Sequence, residues 1–123
     1  MTEFFAVFVV AKVGSGFAAT TRAADRGEAG RIGLPGGKVD AGETAVDAAI
    51  RESAEEGWSV YIHKDDTPAH TSVVDGKNVA WFYATNAVML TEYKEIGRIT
   101  PIVVSIQDVV DSGYGNEWIG ELT

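Results

Sequence analysis

A glycine pair followed at fixed distance by a run of carboxylates constrains this chain more than any other feature. Gly36-Gly37-Lys38-Val39-Asp40-Ala41-Gly42-Glu43 leads, after seven residues, into Arg51-Glu52-Ser53-Ala54-Glu55-Glu56-Gly57-Trp58. The pattern reads as a tight turn feeding a helix. Offsets of three and four residues put Glu52, Glu55 and Glu56 on one side of that helix. Val46, Ala49, Ile50 and Ser53 share the roughly opposite side, so the helix can pack while presenting its acids. Clustered carboxylates repel one another and raise one another's pKa unless a cation sits among them. Hard oxygen ligands of this kind suit Mg²⁺ or Mn²⁺, whose shells are completed by water and substrate phosphate.

These residues resemble the signature of the Nudix family: Gly, five residues, Glu, seven residues, then Arg-Glu-apolar-any-Glu-Glu-any-Gly-apolar. Gly37, Glu43, Arg51, Glu52, Glu55 and Glu56 match it in type and spacing. Six specified residues at fixed offsets would coincide on the order of once in 10⁷ starting points. Leu34-Pro35 and Gly42-Glu43-Thr44 fit the wider context of the same motif. Two positions depart from it. Ser53 stands where the family has an apolar residue, and Gly57 follows Glu56 with no intervening residue. A glycine just past a helix adopts the left-handed C′ geometry, so the deletion is expected to end the helix one residue early without altering the spacing of the glutamates.

The resemblance implies an α+β domain, a Nudix-type α/β/α sandwich with a mixed sheet, spanning residues 1–123 as a single unit. The order of elements read from the chain agrees with that class. Phe4–Lys12 reads as a nearly continuous apolar strand, and Phe17–Arg22 as a second after the Gly14-Ser15-Gly16 turn. Residues 23–33 read as a loop. The helix is expected over Thr44–Glu56, with Thr44 as N-cap and Asp47 completing a weak capping box. Strands follow at Trp58–His63, Thr71–Val74, Val79–Ala84 and Ala87–Thr91, the middle two joined by Asp75-Gly76 extended by Lys77 and Asn78. Glu92–Thr100 reads as loop, Pro101–Ser105 as strand, and Ile106–Ser112 as a short helix ended by Gly113.

Charge narrows the partners. The formal net charge is −8, which disfavours long nucleic acid, since that needs clustered Lys and Arg. A bound divalent cation reverses the local sign, so a small phosphorylated nucleotide remains compatible. No cysteine is present, which excludes thiolate metal sites and fits a cytoplasmic location. The longest apolar run at the start, Phe4–Ala11, is too short to span a membrane. A homodimer is compatible with everything above.

The resemblance also implies roles. Glu52, Glu55 and Glu56 would be metal ligands together with the backbone at Gly37, and one of them would polarise the attacking water. Gly36 and Gly37 would allow close backbone approach to metal or phosphate. Arg51 would orient the glutamates through Glu43, and Lys38 would reach a phosphate. A further glutamate is expected from a distant loop, with Glu95 favoured over Glu92; both also read as plain surface charges. Asn116 stands where MutT-type members place an asparagine that reads a purine edge, and it reads equally as a turn cap. Trp81, Phe82 and Tyr83 are expected to alternate between core and cleft, and His63 and His70 to be structural or exposed.

The extra elements of NADH-, ADP-ribose- and diadenosine-type members have no convincing counterpart here. Thr20-Thr21-Arg22, Arg26 and Gly30 echo a coenzyme A subgroup only partly. By elimination the expected activity is Mg²⁺-dependent (or Mn²⁺-dependent) hydrolysis of a nucleoside triphosphate to monophosphate and pyrophosphate. Hydrolysis of ADP-ribose, a dinucleotide, coenzyme A or an RNA cap, and non-catalytic nucleotide sensing, stay open as alternatives.

Overall fold

Strand alternation sorts the apolar residues of this chain onto two faces of one central sheet. The computed structural model describes residues 3–23, 31–114 and 119. Its elements in chain order are β1 (Ala6–Val13), β2 (Gly16–Arg22), β3 (Ile32–Gly33), β4 (Gly36–Lys38), α1 (Ala45–Glu55), β5 (Trp58–Val60), β6 (His70–Val74), β7 (Lys77–Ala84), β8 (Ala87–Met89), β9 (Ile99–Val104) and α2 (Ile106–Val109). A kinked helical turn, Val110–Tyr114, follows, and Gly113 turns the chain at φ 96°.

β1 and β7 run parallel at the centre, from Ala6 opposite Val79 to Ala11 opposite Ala84. β4 lies antiparallel against the first half of β1, and the end of β1 turns back into β2. β2 in turn carries β3 and β9, and β6 closes the far side against β7. A separate two-stranded ribbon joins β5 to β8. Val7, Val9, Ala80 and Phe82 face α1 through Val46 and Ala49, with Trp58 beside them. Val10, Val79 and Trp81 face the other way, onto Phe17, Leu34, Val104, Val109 and Ile119. The result is an α+β fold with a mixed sheet between helical layers, and no helix among the described residues is long and apolar enough to cross a membrane.

Several boundaries differ from the sequence reading for local reasons. Asp75 and Gly76 have φ of 51° and 77°, the pair of positive values that a two-residue hairpin turn demands. Lys77 and Asn78 are therefore strand residues, opposite Val74 and Val73. The strand expected to run to His63 stops at Val60, because β8 supplies only Ala87, Val88 and Met89 as partners. His63 then turns the chain, its Nδ1 accepting from Asp65 N at 3.1 Å. Ile32–Gly33, expected as loop, pairs with Thr21 and Thr20. Ile99 and Thr100 likewise join β9 opposite Arg22 and Thr21.

α1 begins at Thr44, whose Oγ1 accepts from Asp47 N at 3.1 Å. The full reciprocal capping box is formed at α2 instead, between Ser105 and Asp108. At its other end Glu56 is the C-cap and Gly57 turns at φ 100°. A Cβ on Gly57 would stand 2.8 Å from the Pro101 ring. The helix end thus lies directly against Pro101 of β9.

Ser53 occupies the apolar side of α1 and is fully buried, with no hydrogen-bond partner for its Oγ. A buried hydroxyl left unpaired costs about 1–3 kcal/mol, and alanine is the better helix former. Ser53→Ala should therefore stabilise the protein by about 1 kcal/mol, read from the midpoint of urea unfolding. An unchanged or lowered midpoint would show that the hydroxyl is bonded in solution.

Candidate active site

The site begins where β4 crosses the middle of α1. Gly36 and Gly37 lie opposite Phe8 and Val7 of β1. A side chain at Gly36 would drive into the Val7 carbonyl and the Phe8 backbone, and one at Gly37 would overlap the Glu52 carboxylate. Both glycines are thus required by close approach, the first to a strand and the second to an acid. The glycine pair expected as a tight turn is strand β4, paired with β1, and Gly36 N donates to Glu56 Oε1 at 3.0 Å, so strand and helix are tied together at the carboxylates.

Arg51 organises the rest. Its Nε and Nη2 donate to the two oxygens of Glu43 at 2.7 and 2.9 Å, a bidentate pair. Its Nη1 donates to Glu52 Oε1 at 2.9 Å and Glu55 Oε2 at 2.8 Å, and Nη2 also donates to the Lys38 carbonyl at 3.0 Å. One planar guanidinium with five donors can serve this many acceptors; an ammonium could not. Lys94 adds a second cation 3.5 Å from Glu55.

The electrostatics separate the acids. The hydrogen bonds from Arg51 hold Glu43 below the usual carboxylate range. Burial raises Glu52, against the opposing pull of Arg51. Burial also pushes Glu56 up to about 8, opposed by the Gly36 N–H and reinforced by the charges of Glu52 and Glu95. Glu56 is therefore a buried carboxyl that keeps its proton at neutral pH unless a cation replaces it.

That chemistry fits a hard divalent cation. Glu52 and Glu56 present carboxylate oxygens beside the Gly36-Gly37 backbone of β4, and Glu55 lies one step further along the same face. Among the described residues no three acids or imidazoles already converge on one point. A cation entering here would use the second oxygen of Glu52 and Glu55 or compete with their bonds from Arg51 Nη1, and would displace the proton of Glu56.

Beside the carboxylates a pocket of about 360 Å³ opens among β1, β2, β3, β4 and β9. Gly36 and Gly37 form its inner edge, Phe8, Leu34, Ile32 and Ile99 its apolar wall, and Thr20, Arg22 and Arg31 its polar wall. Phe8 rests against Trp81, with ring centroids 4.8 Å apart.

The structure brings Glu43, Arg51, Glu52, Glu55, Glu56, Gly36 and Gly37 together. It also brings Glu95 to them. Glu95 N donates to the Glu55 carbonyl at 2.8 Å, and its charge acts on Glu56; no such link is seen for Glu92, which is exposed. The Lys38 ammonium lies over the Phe5 ring at 5.5 Å, and the residue is not part of the pocket wall. Asn116, Arg26 and Gly30 lie outside the described residues. Trp81 and Phe82 point to opposite cores, and neither lines the pocket. Sequence reasoning did not find Phe8 or Arg31. Long-range pairing puts Arg31 there, next to Ile32 and Gly33, which pair with Thr21 and Thr20, and no local signal in the sequence announces it.

A family model described as NUDIX domain matches residues 3–94. No protein of curated function matches the chain by sequence. Among solved structures, an ADP compounds hydrolase superposes with a TM-score of 0.65 at 20% identity, over 92% of this chain and 64% of that longer one. A MutT of Aliivibrio salmonicida or Vibrio cholerae gives 0.63 at 23% identity, over 86% and 82%. An Ap4A hydrolase of C. elegans gives 0.60 at 20% identity, over 95% and 92%. At these identities the likeness carries the fold, and the family model carries the assignment. With its carboxylate helix and glycine pair inside that match, the chain belongs to the Nudix family and is a hydrolase of phosphoanhydride bonds.

Proposed function

We propose that this protein is a Mg²⁺-dependent nucleoside triphosphate pyrophosphohydrolase, releasing a nucleoside monophosphate and pyrophosphate. The observation that supports this reading best is the pocket. Its volume of about 360 Å³ lies at the small end of ligand sites and suits one nucleoside rather than two, and its lining includes the glycine pair of β4 beside Glu52 and Glu56.

Glu52 and Glu56 would hold the cation beside the Gly37 backbone, with Glu55 within reach. When bound, it neutralises phosphate charge and makes the attacking water more acidic. The chain's own residues do the rest. Phe8, Ile32 and Leu34 enclose the base and exclude water. Arg22, whose charge already acts on Glu56, neutralises a phosphate from the opposite wall. Arg51 keeps Glu43 and Glu55 in place. Glu95 is the carboxylate set to take the proton of the water, whose oxygen bonds to phosphorus as the bond to the bridging oxygen between the α and β phosphates breaks.

A panel holding canonical and oxidised nucleoside triphosphates, ADP-ribose, coenzyme A, NADH, a diadenosine polyphosphate and a cap analogue tests the substrate class. The expected result is kcat/KM at least about tenfold higher for a triphosphate than for any dinucleotide. Preference for ADP-ribose or another dinucleotide would retain the site and overturn the substrate.

A further inference from the structure

Among the described residues β6 is an edge strand without the usual protection. Among the described residues it pairs only with β7. Its five residues, His70-Thr71-Ser72-Val73-Val74, include no Lys, Pro or acid, the devices that normally blunt an exposed edge. Val73 and Val74 are 67% and 51% exposed, on opposite faces of the sheet.

The hairpin settles which main-chain groups are free. A two-residue turn makes its flanking pair, Val74–Lys77, a hydrogen-bonded pair, and alternation then gives Ser72–Val79 and His70–Trp81. The Ala69 N–H, which also reaches the Trp81 carbonyl at 2.8 Å, agrees with this phase. Thr71 and Val73 therefore point their N–H and C=O groups away from β7.

We infer that a second copy of this chain docks on β6, strand to antiparallel strand, about a two-fold axis at Ser72. An isologous antiparallel contact pairs residues on the same face, so the two partners of each pair differ by an even number of positions. Centring on Ser72 sets Thr71 of each copy opposite Val73 of the other. Those are the residues with free main-chain groups, and each such pair exchanges its N–H and C=O bonds in both directions. The β-branched side chains of Thr71 and Val73 meet on one face and His70 meets Val74 on the other.

Charge favours this edge over others. Each copy carries a net charge of −8, so acidic surfaces repel, whereas from Thr67 to Val74 His70 is the single ionisable side chain. The β4-β1-β7-β6 blade of each copy becomes half of one continuous sheet. A five-residue ladder buries less than a permanent dimer needs, so association is in the micromolar range and depends on concentration. The axis passes beside Ser72, whose Oγ accepts from Trp81 Nε1 at 2.9 Å. Trp81 supports Phe8 at the pocket wall, so the interface connects to the site through that pair of rings.

Sedimentation velocity from about 1 to about 300 μM tests the inference on the full chain. Wild type should move from monomer to dimer across that range. Thr71→Pro removes an N–H that points away from β7, so the hairpin survives, and Val73→Lys changes an exposed side chain. Each should weaken dimerisation at least about tenfold with an unchanged circular dichroism spectrum. Ser72→Cys introduces the sole cysteine of the chain, at a non-hydrogen-bonded pair where strand spacing suits a disulfide, and two copies of that variant should cross-link on oxidation. A wild type that stays monomeric, a dimer that persists in both the Pro and Lys variants, or a dimer of Ser72→Cys that does not cross-link would overturn the inference.

Discussion

Replacing Glu56 with Gln is expected to lower turnover by at least about two orders of magnitude while the protein stays folded. Gln keeps the shape and can still accept from Gly36 N, the bond seen at 3.0 Å. What it removes is the negative charge that a cation would claim. The same substitution has a signature in stability that needs no substrate. Without metal, burial holds the native carboxyl protonated up to about pH 8, against an ordinary value of 4.5. Between those values the native state binds more protons than the unfolded chain, so stability falls as pH rises. The contribution is fully present below about pH 4.5, and on the order of 3–5 kcal/mol is lost by the time pH passes 8. In chelator, wild type should therefore unfold at progressively lower urea between about pH 5 and pH 8, and Glu56→Gln should show a clearly shallower slope, the remainder coming from Glu52, which burial also raises. Mg²⁺ should flatten or reverse the wild-type slope, because the cation binds the deprotonated form. A wild type with no slope in chelator would show that Glu56 is ionised without metal.

Alanine at the two neighbouring glycines should separate folding from catalysis. At Gly36 the new methyl meets the Val7 carbonyl and Phe8 Cα, which are backbone atoms of the central strand. Neither can yield without opening the β1–β4 pairing, and overpacking of this kind costs about 1–3 kcal/mol or more. At Gly37 the methyl meets the end of the Glu52 side chain, which can swing aside at little cost. Gly36→Ala should therefore lower the thermal midpoint by roughly 5–10 °C or prevent folding. Gly37→Ala should keep its midpoint within a few degrees yet lose about a hundredfold in kcat, because displaced Glu52 no longer holds the cation. Equal loss of stability in both variants would contradict the distinction, as would full activity in Gly37→Ala.

The part of the site legible in the sequence is the part written at short range. Gly36 to Glu56 form one short strand, one loop and one helix, so fixed offsets carry their geometry directly, including the early helix stop at Gly57. Glu95 could be named only as one of two loop acids. Its place is set by a main-chain bond to the end of α1 that no local pattern announces. Phe8, Arg22 and Arg31 come from strands and their flanks that meet through long-range pairing, and Arg31 sits in a stretch that reads as loop. Lys38 shows the converse. It adjoins the motif in sequence, yet its ammonium lies over Phe5 and away from the pocket. Thr20 and Arg22 stood in a stretch that read as a partial echo of another subgroup, and the structure puts both on the pocket wall.

The most direct measurement is ³¹P NMR of a nucleoside triphosphate incubated with the protein, first with Mg²⁺ and then with excess chelator. The account predicts monophosphate and pyrophosphate as the products, formed with Mg²⁺ and halted by the chelator. Release of diphosphate and orthophosphate, or hydrolysis that continues in chelator, would contradict it.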